Sequence, residues 1–327
     1  MKLAQKQRDC GFDNIKCILI LLVVTGHLLE ICQVPGGDRV YRLIYLFHMP
    51  MFMFITGFFT KQQPAPADIV RQCVTYVVFQ TAYILFAQLV LKQSTTVQYT
   101  KPYWHLWYLL AVLFYTVLVP LYRTDSGKKQ IVALIVTFVL AMVIGYDSSV
   151  GYNMSLSRFF VFQPFFLMGH YFQQYLPAWE KFVRKNRIGM AAVAGISGVA
   201  VVSTFALTDG KWITKQMLYG SYSYQALNYG ITHRLVIFLA AVIWIVFFLV
   251  AVKPLISKKL PVLSMIGANT MPVYLLHAWV VKLIGKLQPG IIQNWAFVIA
   301  ACVACVLVFG NPVMMWCVRP RWRGKGC

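Results

Sequence analysis

The sequence predicts an all-α integral membrane protein with about ten transmembrane helices and with both termini in the cytoplasm. Of its 327 residues, 59% are hydrophobic and only 12% are charged, whereas roughly 25% are charged in a soluble domain. Lys and Arg number 30 against 9 Asp and Glu, a net charge of +21. A nucleic-acid-binding protein of this charge would have a polar surface rather than long apolar runs. We therefore expect a lipid bilayer around the chain and no nucleic acid partner.

Ten apolar runs, separated by short segments that are polar or rich in Pro and Gly, are the candidate spans. They cover residues 15–32, 43–60, 69–91, 104–122, 130–146, 158–176, 188–207, 233–252, 261–284 and 291–318. Asn269 and Pro272 predict a break in the ninth. Lys and Arg are about twice as frequent in the segments on the side of the N-terminus, which places both termini in the cytoplasm. We expect one transmembrane domain over residues 1–327, in the inner or plasma membrane.

Four ionisable residues share one side of the first predicted helix: Asp13, Lys16, His27 and Glu30. At 100° per residue, Lys16 and His27 lie almost on one line, about 16 Å apart along the axis. Ionisable groups inside a membrane are expensive to bury and are candidates for function. This side of the helix is therefore expected to face the protein interior or a water-filled cavity.

The chemistry of these groups suggests separate roles. Lys16, near the cytoplasmic boundary, suits an anionic donor, while His27, past the midplane, suits proton transfer. Glu30 lies one turn after His27 and could orient its ring, as a carboxylate does in a catalytic triad. The alternative for His27 is a buried residue that only makes contacts between helices.

Three further residues are candidates for lining a binding site near the outer face. His48 precedes Pro50, which removes a backbone donor and loosens the helix there. Arg158 opens the sixth span, and Trp107 lies in an aromatic cluster with Trp104. The alternatives are an interfacial histidine, an arginine that reaches the headgroups, and an aromatic belt.

Several motifs in this order resemble the acyltransferase family 3 membrane proteins, and the small fucose O-acetylase-like members most closely. The first is a basic residue and a histidine separated by ten positions, here Lys16 and His27. The others lie at residues 47–58, 104–109, 162–169 and 274–277. The resemblance covers nearly the whole chain. It departs from the family at the start of the third helix, where many members have clustered arginines and this chain has Arg71 alone.

The resemblance implies a ten-helix domain that moves an acyl group, usually acetyl from acetyl-CoA, to a hydroxyl of a cell-envelope carbohydrate. His27 would be the catalytic histidine and Lys16 its basic partner. We expect acetyl-CoA as the donor, no metal, and a carbohydrate or glycolipid acceptor; a homodimer is compatible with the sequence. The predicted site residues are His27 and Glu30 for catalysis, Lys16, Asp13 and Arg71 for the donor, and His48, Arg158 and Trp107 for the acceptor.

Two other classes of function remain open at this point. A secondary transporter would also place buried His and Glu side chains at mid-depth, but it would be expected to show repeat symmetry and broken helices in both halves. A membrane scaffold or binding module would need no reactive groups on the first helix.

Overall fold

The computed structural model describes residues 9–287 and 293–318, and within that part of the chain every regular element is a helix. Short helical turns connect the main helices or extend their ends. The main helices are α1 Cys10–Leu29, α2 Gly37–Phe59, α3 Pro66–Leu85, α4 Trp107–Tyr122, α5 Gly127–Val143, α6 Leu156–Lys185, α7 Arg187–Ser203, α8 Ile231–Phe247, α9 Pro261–Ala268, α10 Thr270–Leu287, α11 Trp295–Phe309 and α12 Pro312–Val318.

The predicted class, an all-α membrane protein, is confirmed. Among the described residues, seven helices are long and apolar enough to cross a membrane, or eight if α11 and α12 form one bent span. The predicted count of ten and the orientation of the termini stay predictions. The basic residues at 1–8 and 319–327 that contribute to that orientation lie outside the described residues.

Two predicted spans are broken helices. The ninth separates at Asn269 into α9 and α10, as its sequence predicted. The tenth, which formed one run in the sequence, bends by 70° between α11 and α12. Pro312 begins α12, a position at which the missing backbone N–H of proline leaves no helical hydrogen bond unmade.

Helix α1 lies in the interior, held by polar contacts at its N-terminal end. The Asp9 carboxylate caps the helix by accepting a hydrogen bond from the Phe12 amide at 3.3 Å. Asn14, fully buried, donates to the carbonyl of Ile256 at 2.7 Å and accepts from the Ser264 hydroxyl at 2.8 Å. These bonds hold the start of α1 in position against the segment that leads into α9.

Helices α2 and α6 pack backbone to backbone through two glycines. A Cβ on Gly57 would collide with the carbonyl of Phe166, and one on Gly169 would collide with the carbonyl of Phe54. Small residues allow this close approach in membrane proteins. Pro50 lies within α2, and the helix runs unbroken past it.

Apolar side chains on the outer helices remain exposed, as a lipid-facing surface requires. On α7, Ile196 and Val199 are 71% and 70% exposed. In the interior, Phe47 of α2 stacks on Trp244 of α8 with ring centroids 3.9 Å apart. Apolar side chains thus form both the outer surface and much of the core of the bundle.

Candidate active site

Four residues of α1 and its C-cap Glu30, spaced alternately by four and three positions, line three consecutive cavities. Lys16 lines the first cavity, Ile20 and Val23 line the second, and Glu30 lines the third. His27 lines both the second and the third. Spacings of three and four keep side chains on one face of a helix. One face of α1 therefore borders a series of cavities along most of its length.

The first cavity, which we call the Lys16 cavity, has a volume of about 420 Å³ and contains several charged side chains. Lys61 and Arg71 line it together with Asp68. Asp68 accepts from Lys61 at 2.8 Å and lies 3.6 Å from Arg71. Lys16 is paired with the buried Asp13 behind it at 2.7 Å. The lining therefore has three cations and one carboxylate, which favours an anionic ligand.

A smaller middle cavity of about 90 Å³ is lined by His27. It shares Phe52, Tyr108 and Thr270 with the Lys16 cavity. Its other lining residues are mainly apolar: Ile20, Val23, Met49, Met271 and Tyr274, with His105 and Trp107 at its far end. A thin apolar chain with few polar groups would fit such a passage better than a hydrated sugar.

The hydrogen bonds around His27 determine which of its nitrogens can act as a base. The Tyr45 hydroxyl donates its hydrogen to Glu30 Oε1 at 2.8 Å. It must therefore accept at its 3.2 Å contact with His27 Nδ1, because a hydroxyl has one hydrogen to donate. Nδ1 then carries the imidazole hydrogen, and Glu30 Oε1 lies 3.5 Å from it. Nε2 is left with the lone pair and can accept a proton.

Glu30 is held by further hydroxyls from other elements. Tyr41 donates to the same carboxylate oxygen at 2.9 Å, and Tyr219 lies 2.9 Å from the Tyr41 hydroxyl. Since the Tyr41 hydrogen is directed at Glu30, Tyr219 is the donor in that second bond. Glu30 thus has a fixed position from which it can orient the His27 ring, as the sequence predicted for its placement one turn away.

Two buried histidines accompany His27. The His277 ring stacks on His27 with centroids 5.2 Å apart, and His105 lies 5.1 Å from His277. His277 Nδ1 donates to the carbonyls of Val273 and Tyr274. Three ring nitrogens have no hydrogen-bond partner within residues 9–287 and 293–318: both nitrogens of His105, and Nε2 of His277. Such unmet polar atoms in a buried site indicate a place for a ligand or water.

The third cavity, here called the Arg158 cavity, has a volume of about 250 Å³. His48, Trp107 and Arg158, the three predicted acceptor residues, all line it, as do His27 and Glu30. His48 is buried, and its Nδ1 donates to the carbonyl of Ile44 at 2.7 Å. The structure therefore brings the catalytic and acceptor candidates to one cavity, while Lys16, Asp13 and Arg71 lie at the opposite end of α1.

Several contributing residues were not predicted. Tyr41 and Tyr45 precede His48 by seven and three positions, a spacing that places all three on one face of α2. That spacing was a signal available in the sequence. Tyr219 comes from the long loop between α7 and α8, and His277 from α10, so only the folded chain brings them near α1.

The described residues include no group of three or more His, Cys, Asp or Glu side chains that could hold a metal ion. The site combines the His27 imidazole, the Glu30 carboxylate 3.5 Å from its Nδ1, and cations that line the Lys16 and Arg158 cavities. The class defined by fold and site is therefore a multi-pass α-helical membrane protein with a paired histidine and carboxylate beside its interior cavities.

A family model for an acyltransferase domain, that of acyltransferase family 3, matches residues 11–311. The chain belongs to this family, as its motifs indicated. Nodulation protein NolL of Sinorhizobium fredii is 29% identical over 189 residues, which cover 51% of this chain and 49% of that protein. Nodulation protein NolL of Mesorhizobium japonicum is 45% identical over 59 residues, 16% of each chain.

The matched part of this chain thus spans about half the length of the Sinorhizobium relative and a smaller part of the Mesorhizobium one. No solved structure matches the chain.

Proposed function

We propose that the chain is an O-acyltransferase of the inner or plasma membrane, which moves an acetyl group from cytoplasmic acetyl-CoA to a hydroxyl of a cell-envelope carbohydrate. The observation that carries the proposal is the series of three neighbouring cavities along α1, in which successive cavities share lining residues and His27 lines the last two. Such an arrangement lets two substrates reach one base from opposite ends of α1. Family membership supports the acyl-transfer chemistry.

The Lys16 cavity would take the phosphates of acetyl-CoA. Lys16 and Arg71 face it with Lys61, and Lys and Arg are the usual partners of phosphate groups. The middle cavity would take the thin pantetheine arm and direct the thioester toward His27, about 16 Å along α1 from Lys16. Asp13 would position Lys16 through their 2.7 Å ion pair rather than contact the donor.

At His27, Nε2 would remove the proton of the acceptor hydroxyl as its oxygen attacks the thioester carbonyl. The new C–O bond forms, the C–S bond breaks, and the proton passes from the imidazolium to the leaving CoA thiolate. Glu30, fixed by the Tyr41 and Tyr45 hydroxyls, would stabilise the transient imidazolium. In the alternative route His27 itself takes the acetyl group before the acceptor does.

The test uses purified protein in lipid nanodiscs with radiolabelled acetyl-CoA and envelope glycan. We expect acetyl transfer to fall by about 1,000-fold in His27→Ala, since a general base contributes roughly 10²–10⁴-fold. The matched control is His233→Ala, because His233 stacks on Trp212 at 4.4 Å and lines none of the three cavities.

Transfer that survives His27→Ala would remove His27 from the mechanism. Wild-type protein that consumes no acetyl-CoA would favour a transporter or a scaffold. Release of free CoA in the absence of glycan would favour the route through acetyl-His27.

A further inference from the structure

Arg158, in the first turn of α6, is a buried cation without an acidic partner in the part of the chain that the structure describes. It is 8% exposed. Its Nε donates to the carbonyl of Tyr219 at 3.0 Å, and its Nη2 contacts the Ser221 hydroxyl at 3.4 Å. Neither contact uses Nη1, and no carboxylate among the described residues pairs with the guanidinium. Burying a charge without a counter-charge is costly.

Two aromatic rings hold the guanidinium at the wall of the cavity. Its central carbon lies 5.0 Å from the Trp107 ring and 5.0 Å from the Tyr152 ring. Both rings line the Arg158 cavity, and stacking of this kind restricts the orientation of an arginine side chain. The fork of N–H donors is therefore fixed in place before any ligand enters.

The acid that lines this cavity is already engaged. Glu30 Oε1 accepts hydrogen bonds from the Tyr41 and Tyr45 hydroxyls and faces His27 Nδ1. These three donors already stabilise the charge on this oxygen. The buried nitrogens of His105, which also lines the cavity, have no hydrogen-bond partner among the described residues. The Arg158 guanidinium thus keeps unused donors at the cavity, whereas Glu30 Oε1 is already bonded within the protein.

A second buried arginine shows what a structural role looks like in this fold. Arg234 is 5% exposed. Its two Nη atoms donate to the carbonyls of Ala141 and Tyr222 and to the Tyr229 hydroxyl, at 2.8–3.1 Å. It borders a space of only about 30 Å³. Its donors are used within the protein, whereas Arg158 faces a cavity of about 250 Å³.

We propose that the Arg158 cavity selects an anionic acceptor, in which a carboxylate or phosphate group of the carbohydrate pairs with Arg158 while a sugar hydroxyl lies at His27. Planar anionic oxygens match the guanidinium fork, and the Trp107 face suits the apolar side of a sugar ring. The acceptor role rests on the proposed function. The binding preference does not, because it can be measured without a donor.

The experiment uses full-length protein in phosphatidylcholine nanodiscs, without acetyl-CoA, and matched probes that differ in charge. The neutral probes are the methyl glycosides of glucose and galactose. The anionic probes are the methyl glycosides of glucuronic and galacturonic acid, with the carboxylate free, and the 1-phosphates of glucose and galactose. Affinities are measured by saturation-transfer NMR and calorimetry. We expect at least one anionic series to bind about tenfold more tightly than its neutral counterpart, as a buried charge pair permits. Preference for uronates indicates an acidic sugar, and preference for 1-phosphates indicates a phosphate-linked sugar.

Arg158→Met should weaken binding of the preferred anionic probe by about 30-fold and change binding of the neutral probes by less than about twofold. The control is Arg39→Met, which removes an exposed α2 arginine that bonds to Thr208 and Phe205 and lines none of the three cavities. If Arg158→Met does not fold, Arg158→Lys keeps the charge without the fork. The lysine variant should then lose most of the preference.

Equal binding of neutral and anionic probes, an anionic preference that persists in Arg158→Met, or no binding of any anionic probe would each overturn the proposal. Acetyl transfer to neutral and anionic probes at equal rates would overturn it while leaving the proposed function intact. An Arg158-dependent anionic preference in a protein that never consumes acetyl-CoA would instead support the binding site and contradict the acyltransferase assignment.

Discussion

The two ends of the α1 face present positive charge in different ways. In the Lys16 cavity, Lys61 and Arg71 share the carboxylate of Asp68, and their side chains are 68% and 36% exposed. In the Arg158 cavity, a single guanidinium, 8% exposed, lies between two aromatic rings and pairs with no carboxylate among the described residues. The first is a shallow group of partly neutralised charges, and the second is one buried, oriented charge.

This difference suggests two kinds of recognition. Exposed charges attract a highly charged ligand from solution and let it leave, but salt screens them. A buried, oriented cation is screened less and discriminates between ligands more strongly, because a mismatched ligand leaves it unpaired. The Lys16 cavity therefore suits a polyanionic donor, and the Arg158 cavity suits selection among acceptors.

Among these substitutions, the largest loss of activity is expected at Glu30, next to His27. Glu30→Gln keeps the size of the side chain but removes the charge that faces His27 Nδ1 at 3.5 Å. We expect kcat for acetyl transfer to fall about 100-fold, with little change in the KM of either substrate, because in the proposed mechanism Glu30 acts on His27 rather than on a substrate. Steady-state kinetics with labelled acetyl-CoA measure this. A changed KM with unchanged kcat would instead place Glu30 in substrate binding.

The next effect distinguishes the donor end from the acceptor end. Lys16→Ala should raise the KM for acetyl-CoA by about tenfold, since one charge-assisted bond to phosphate is lost. The KM for the acceptor should not change. Lys253→Ala is a matched control, because Lys253 pairs with Asp9 at 2.9 Å and lines none of the three cavities. An equal rise in the KM values of donor and acceptor would indicate a general disturbance of α1. It would contradict the proposal that the two substrates bind at opposite ends of α1.

A smaller effect is expected at the aromatic wall of the acceptor end. Trp107→Leu removes the ring over which Arg158 lies, and a cation–π contact contributes from about 0.5 kcal/mol at exposed sites to about 2 kcal/mol or more when desolvated. We expect the acceptor KM to rise by about fivefold, with Trp107→Phe restoring most of the loss because it keeps a ring. An acceptor KM unchanged by Trp107→Leu would show that Arg158 needs no aromatic support.

The smallest effect is the response of the wild-type protein to salt. Raising NaCl from about 50 to about 500 mM shortens the screening length severalfold. The KM for acetyl-CoA should rise by about threefold, because exposed charges are screened, while the acceptor KM should rise less. Osmotically matched sucrose is the control. A stronger salt dependence for the acceptor than for the donor would reverse the proposed assignment of the two cavities.

Sequence reasoning was most successful where structure depends on nearby residues. The placement of Lys16, His27 and Glu30 on one face follows from helical periodicity, and the break at Asn269 was predicted from Asn269 and Pro272 themselves. The bend at the end of α11 was not anticipated. The role of Asp13 also looks different in the folded chain, since its carboxylate lies 2.7 Å from Lys16 and is buried.

The sequence by itself determined the membrane class, the family motifs and the polar face of α1, because hydropathy and the 3.6-residue repeat act along one segment. Only the tertiary structure decided which groups meet that face. Tyr219 reaches Tyr41 from 178 positions away, and His277 stacks on His27 from another helix. Such meetings depend on how helices pack against each other, and no local periodicity encodes that packing.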